Sequence, residues 1–283
     1  MLVDLKEYTQ GSLRQECKLF YNFVPDFENN MEKISKSQVK LIKSLQLKKF
    51  RDELGLFVAE GGKCVEELRK SFELVHLYRE GENATRTEIE QMSGLRTPQG
   101  VIGVFRKRPI YDLKLKIEDL VLALDGIQDP GNLGTIIRTC DWFGVHDIVC
   151  SKDTADCYNP KVVQATMGAL ARVRVHYLDL PEWLAEQQRP IYGTLLDGKD
   201  MYDELKSERV KELKNEGIIV MGNEGNGISQ EVRKLITDPI RIPSYPKNGA
   251  SEHSEKSEEA PEVIESLNVS IATAIILAEF RRP

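Results

Sequence analysis

Three clusters of polar residues and glycines each follow a short apolar run. The first is Asp125-Gly-Ile-Gln-Asp-Pro-Gly-Asn-Leu-Gly134, leading into Thr135-Ile-Ile-Arg138. The second, Met221-Gly-Asn-Glu-Gly-Asn-Gly-Ile228, comes directly after Ile218-Ile219-Val220. The third is Ile240-Arg-Ile-Pro243, separated by an acidic stretch from Ser266-Leu-Asn-Val-Ser270. Amides, carboxylates and guanidinium groups are what a protein uses to hold and orient a polar ligand. The glycines permit close backbone approach and φ angles that other residues avoid. Open α/β sheets form their ligand crevices at such places, beyond the carboxyl ends of strands.

Spacing argues against several other chemistries. No G-x-G-x-x-G follows a strand-like run, and Gly62-Lys63 fails as a phosphate loop because Phe57 and Cys64 stand where Gly and Ser or Thr are needed. The cysteines (17, 64, 140, 150, 157) and histidines (76, 146, 176, 253) show neither zinc-ligand spacing nor a disulfide framework. Reduced, mostly buried thiols and no metal are expected.

The elements that must position these clusters are legible in the periodicity. After the first cluster a helix is expected over Leu133 to Phe143, with Leu133, Ile136, Ile137 and Cys140 as its buried stripe. Arg138 shares a face with Gly134, one turn earlier, so that glycine would leave room for a ligand beside the guanidinium. The alternative is an ordinary helix, capped by Asn132, with a solvated Arg138. The second cluster is either a binding turn or a purely structural one. In the last helix Leu267, Ile271, Ala274, Ile275 and Ala278 are expected to form the apolar face, with Ser266 or Asn268 as cap.

Strand-like runs at 120–124, 147–149, 190–194, 217–221 and 240–242 alternate with helical ones, which argues for a mostly parallel sheet covered by helices. Ahead of them, a helix over Ser37 to Leu54, strand-like runs at 56–59, 74–78 and 101–105, and a short helix from Gly61-Gly62 to Leu68 make a smaller α/β unit. Residues 1–30 read as a tail or as a start upstream of the natural one at Met31. Residues 108–118, with Pro109, read as a linker.

The 283 residues suit two domains, and 41% hydrophobic with 30% charged residues is the balance of a packed, water-soluble protein. No apolar run approaches the ~20 residues that span a bilayer. The amino terminus lacks the pattern of a secretory signal, so the cytoplasm is the expected compartment. Net charge is -6, yet residues 31 to 108 hold 16 basic against 11 acidic groups. A basic segment ahead of an acidic body is compatible with a polyanion partner. Residues 248–265 are polar and strongly acidic, a composition that predicts a mobile loop.

In their order, Asn132-x-Gly134-x-x-x-Arg138, Gly222-Asn-Glu-Gly-Asn-Gly227 and Ser266-Leu-Asn-Val-Ser270 resemble the motifs of the SpoU (TrmH-type) branch of the SPOUT RNA methyltransferases. Arg51-Asp-Glu-Leu-Gly-Leu-Phe-Val-Ala-Glu-Gly61 and Thr97-Pro-Gln-Gly-Val-Ile102 are similar to the substrate-binding domain of the two-domain, ribosomal-RNA-directed members. The resemblance implies an α/β fold: a carboxyl-terminal SPOUT domain (119–283) with a mostly parallel sheet and a trefoil knot, behind a small α/β RNA substrate-binding domain (31–107). It implies methyl transfer from S-adenosylmethionine to a ribose 2′-hydroxyl of structured RNA, ribosomal RNA favoured over transfer RNA, by a homodimer.

By match to those motifs, Asn132 and Arg138 would be catalytic, with Glu224, Ser266 and Asn268 completing the polar cluster. Cofactor contacts would fall at Thr194, Gly222, Ile242 and Leu267. A guanidinium rarely gives up its proton, so Arg138 is expected to grip RNA phosphate and orient the hydroxyl, with Asn132 fixing Arg138. The segment between Pro243 and Ser266 is longer than the family's pattern. It reads either as an inert solvated insertion or as a segment that covers the cofactor cleft or repels RNA non-specifically. A non-catalytic RNA-binding protein of the same fold is the rival reading.

Overall fold

The computed structural model describes residues 34–108, 119–206, 216–244 and 266–282. The expected tail (1–30), all but the first residue of the linker (108–118) and the acidic insertion (248–265) lie outside them. The chain divides into two units, Met1–Arg108 and Pro109–Pro283.

In the first unit, α1 (Lys36–Ser44) starts at a reciprocal cap between Ser35 and Gln38 and buries Val39 and Ile42. The single helix expected over 37–54 is in fact two, because α2 (Lys48–Leu54) begins again after Leu47. Arg51 explains the break. Its guanidinium, 1% exposed, donates to the carbonyls of Leu45 and Gln46 at 2.9 Å each, satisfying groups that a continuing helix would have bonded itself. Gly55 ends α2 with φ +64°, and β1 (Leu56–Glu60) and α3 (Gly62–Leu68) follow. Next come β2 (Leu74–Arg79), α4 (Arg86–Met92) with its own capping box between Thr85 and Glu88, and β3 (Val101–Arg106). The antiparallel sheet has the order β1-β3-β2. Ile42, Leu45, Val58, Ile89, Met92, Ile102 and Val104 form its core against α1 and α4.

The second unit runs β4 (Val121–Asp125), α5 (Pro130–Trp142), β5 (Asp147–Ser151), α6 (Pro160–Thr166), β6 (Arg174–Leu178) and α7 (Leu180–Ala185). It continues with β7 (Ile191–Asp200), α8 (Met201–Glu204), β8 (Ile218–Gly222), α9 (Gln230–Arg233), β9 (Asp238–Arg241) and α10 (Val269–Phe280). All six strands are parallel, in the order β6-β5-β4-β8-β7-β9. The mostly parallel sheet expected from strand–helix alternation is present. β4 and β5 are buried throughout, as strands covered on both faces must be. From β4 the chain steps outward to β5 and β6 on one side, then crosses to β7, β8 and β9 on the other. The boundary between β4 and β8 is therefore the point where chain order reverses, and crevices open there.

Three expectations about the helices need correction. First, Asp129, not Asn132, caps α5, accepting from the Asn132 amide at 2.8 Å with Pro130 in the first turn. Second, Gly134 does not make room for a ligand beside Arg138. A Cβ there would lie 2.5 Å from the Ala165 Cβ and 2.8 Å from the Val162 carbonyl, so this glycine lets α6 press against α5. Third, the apolar face expected on the last helix is not its buried one. Val269, Thr273, Ile276, Leu277 and Phe280 go inward, whereas Leu267 and Ile271 are 47% and 54% exposed. A helix with so few polar residues carries almost no amphipathic signal, and its packing against α5 and β8 decided which face was buried.

Candidate active site

The loop and helix start after β4 and the turn after β8 meet at the carboxyl edge of neighbouring strands. The turn 223–227 is built by Asn223. Its Nδ2 donates to the Gly126 carbonyl at 2.8 Å, tying the two loops together, while its Oδ1 accepts from the amides of Gly225 and Asn226 at 2.8 and 3.2 Å. Backbone bonds between Asn223 and Gly227 close the turn, where Gly227 has φ +66°. At Gly222 an added Cβ would run into the backbone of Gly227 and Ile228, so the turn needs glycine there to fold back on the strand. The Asp125 carboxylate, at the end of β4, accepts from the Ser229 amide at 2.7 Å and anchors the far end of the turn. Asn223 and Asp125 were not among the candidate residues. Asn223 lies within the glycine-rich motif 222–227, and the sign of its structural role is an asparagine two positions ahead of Gly225, a residue type that readily bonds the backbone two positions on.

This scaffold presents Glu224. Its Oε1 accepts three N–H groups: Asn132 Nδ2 at 3.1 Å, Asn268 Nδ2 at 2.8 Å and the Val269 amide at 3.0 Å. Asn268 Nδ2 also donates to Asn132 Oδ1 at 2.9 Å, closing a triangle. The Asn268 Oδ1 accepts from the amides of Ser270 and Ile271, so one residue both caps α10 and joins the cluster. The three members are 92, 44 and 136 residues apart in pairs, and three different elements deliver them. Glu224 Oε2 accepts no hydrogen bond from the described residues, and Glu224 is exposed. A carboxylate pinned through one oxygen and open at the other is arranged to receive something from outside.

Of the predicted catalytic residues, Asn132, Glu224 and Asn268 are brought together. Ser266 is not: it is exposed and has no hydrogen-bond partner among the described residues. Arg138 stands exposed on α5, also without a polar partner among them. The expectation that Asn132 fixes Arg138 is therefore wrong. Six residues along a helix point two side chains about 120° apart around its axis, and Asn132 spends its side chain on Glu224 and Asn268.

The four predicted cofactor residues lie together at the same sheet edge. Gly222 ends β8, Ile242 follows β9, and Leu267 precedes the Asn268 cap. Thr194 ends the first run of pairing between β7 and β9, and its hydroxyl donates to the Val220 carbonyl at 3.0 Å. Beyond it, Leu195 to Gly198 bulge out of the ladder, since both Thr194 and Lys199 face Ile240. Leu196 on that bulge and Leu267 are large apolar side chains in the open. Backbone polar groups beside exposed leucines suit a molecule with a flat apolar ring and a polar tail.

Residues 119–251 match the SpoU rRNA Methylase family, and residues 36–84 match the MRM3-like substrate binding domain. A solved structure of a TrmH-family protein from Porphyromonas gingivalis is 35% identical, covering 88% of this chain and 99% of that one, with a TM-score of 0.74. The AdoMet-bound rRNA methyltransferase from Sinorhizobium meliloti is 29% identical over 88% of this chain and 97% of its own, with a TM-score of 0.70. The 23S rRNA (guanosine(2553)-2′-O)-methyltransferase RlmP of Bacillus subtilis is 28% identical over 269 residues, 89% of this chain and 98% of that protein. With its two matched domains, its parallel six-stranded sheet and its Asn132–Glu224–Asn268 cluster, the chain belongs to the SpoU/TrmH family of RNA 2′-O-methyltransferases.

Proposed function

We propose that this enzyme methylates a ribose 2′-hydroxyl in ribosomal RNA, using S-adenosylmethionine as donor. The observation that carries the reading is the Asn132–Glu224–Asn268 triangle at the point where strand order reverses. Ribosomal RNA is favoured because the relatives similar over both domains, from B. subtilis and S. meliloti, are rRNA methyltransferases. The edge formed by Thr194, Gly222, Ile242 and Leu267 fits an adenosine: its exposed leucines are apolar and its polar groups are neutral, as an uncharged ring requires. When bound, the donor supplies a methyl group already activated by the positive sulfur.

What remains for the protein is to place the hydroxyl and take one proton. Glu224 is the group available for the proton, because its Oε2 is open while three N–H groups hold its Oε1. Asn132 and Asn268 keep that carboxylate from turning away. Arg138 has a guanidinium free to grip a phosphate beside the reacting ribose, a role that needs no loss of its proton. Ser266, close in sequence to the cap, contributes as a contact to the incoming ligand rather than as a member of the triangle.

A homodimer is part of this reading. Trp142 at the end of α5, 84% exposed, and Ile271 on α10 are large apolar side chains in the open that a second copy would cover. Ile271→Asp should yield a monomer by light scattering, and an unchanged mass would refute the assignment of that surface.

Transfer of labelled methyl from S-adenosylmethionine to ribosomal RNA of cells lacking this enzyme, followed by nuclease mapping, tests the function. Label on a single 2′-O-methylated ribose is the expected result. Donor binding with no label on any RNA would favour an RNA-binding protein without turnover.

A further inference from the structure

The first unit treats its basic residues in two ways. Seven of the fifteen described ones are ion-paired: Arg69 and Arg79 with Glu66, Lys70 with Glu67, Arg86 with Glu90, Arg106 with Glu73, and Lys48 and Lys107 with Asp52. On α1 the pattern stops. From Ile34 to Arg51 there are six basic residues and no acidic one. Lys36, Lys40 and Lys43 are exposed and have no ion-pair partner among the described residues. Their i, i+4, i+7 spacing sets them in one row along the helix, flanked on one side by the buried Val39 and Ile42. Like charges on adjacent turns destabilise a helix by a few tenths of a kcal/mol per pair. A row of three is retained here although the capping box and buried face of α1 have no need of it.

From this we propose that α1 is a phosphate rail: Lys36, Lys40 and Lys43 hold the sugar–phosphate backbone of the substrate RNA independently of its sequence. Ammonium groups on flexible stems are point charges, suited to phosphates and unsuited to reading bases. The rail supplies affinity and leaves selection and chemistry to other residues. It rests on the reading of the substrate as RNA.

The test uses the full chain and an unmodified transcript of large-subunit ribosomal RNA. Binding is measured across a range of salt, and methyl transfer at saturating transcript. Lys36→Gln/Lys40→Gln/Lys43→Gln keeps good helix formers at exposed sites. It should bind about tenfold more weakly at physiological salt, with the slope of log affinity against log salt smaller by about 2. Its turnover at saturation should stay within about twofold. The triple arginine variant should restore both affinity and slope. Lys48→Gln/Lys70→Gln, which removes paired charges, should change little.

An unchanged affinity and slope in the triple glutamine variant overturns the rail, whatever the enzyme methylates. So does a loss equalled by the paired-lysine control, since that would mark a net-charge effect. A lysine-dependent slope in a protein that transfers no methyl group would sustain the rail and sink the methyltransferase reading.

Discussion

Two polar clusters stand at opposite edges of the same parallel sheet, and they differ in what they leave open. At the amino edge Asp147, the first residue of β5, is buried beside Arg174 and His176 of β6. Its Oδ1 accepts from Arg174 Nε at 2.7 Å and meets His176 Nε2 at 2.9 Å, and its Oδ2 accepts from Arg174 Nη2 at 2.5 Å. Burial alone would raise the pKa of this carboxyl, yet the bonds from His176 and Arg174 outweigh it and hold the value down at about 2. At the carboxyl edge Glu224 is exposed and bonded through one oxygen only. A closed network stabilises. An open one still has an acceptor to offer.

That contrast predicts opposite consequences for two small changes. Glu224→Gln should lower turnover by a factor of about 10² to 10⁴ while the melting temperature stays within a degree or two. Near-normal turnover would remove Glu224 from the proton's path. Arg138→Ala should abolish methylation and leave donor binding, read by calorimetry, nearly intact. Donor affinity lost along with activity would move Arg138 into the cofactor site.

At the other edge the readout reverses. Asp147→Asn should destabilise the fold by about 2 kcal/mol, seen in denaturant unfolding, with turnover per folded molecule unchanged. The pH dependence has a definite sign. A carboxyl lowered to about 2 in the folded state, against an ordinary 3.8, contributes stability that is fully present above its unfolded pKa. That contribution, about 2 kcal/mol, is lost as pH falls from about 4 toward about 2. The Asn variant should lack this part of the acid transition, and an identical transition in both proteins would break the comparison.

A further substitution separates packing from ligand space on α5. Gly134→Ala should cost about 1 to 3 kcal/mol, because the new methyl group presses into Ala165 and Val162. Unchanged stability with a raised KM for RNA would instead restore the idea that this glycine makes room for substrate.

Much of the second unit was legible because parallel strands buried on both faces leave continuous apolar runs, and glycine-rich turns mark their ends. The first helix of the small unit was less so. Nothing in the periodicity of 37–54 shows that Arg51 folds back onto Leu45 and Gln46, since a buried arginine looks like any other basic residue in a string. The last helix was misread for a related reason: with apolar residues on every side, sequence offers no direction, and only the neighbouring β8 and α5 chose one.

By itself the sequence determined which residue types would meet at the site, because Asn132, Glu224 and Asn268 belong to three distinct motifs whose chemistry is local to each residue. Tertiary structure alone decided how they are connected. Hydrogen bonds between groups 44 to 136 residues apart depend on strand order, and strand order set Asn132 on Glu224 rather than on Arg138. It also left the second carboxylate oxygen of Glu224 without a hydrogen bond from the described residues.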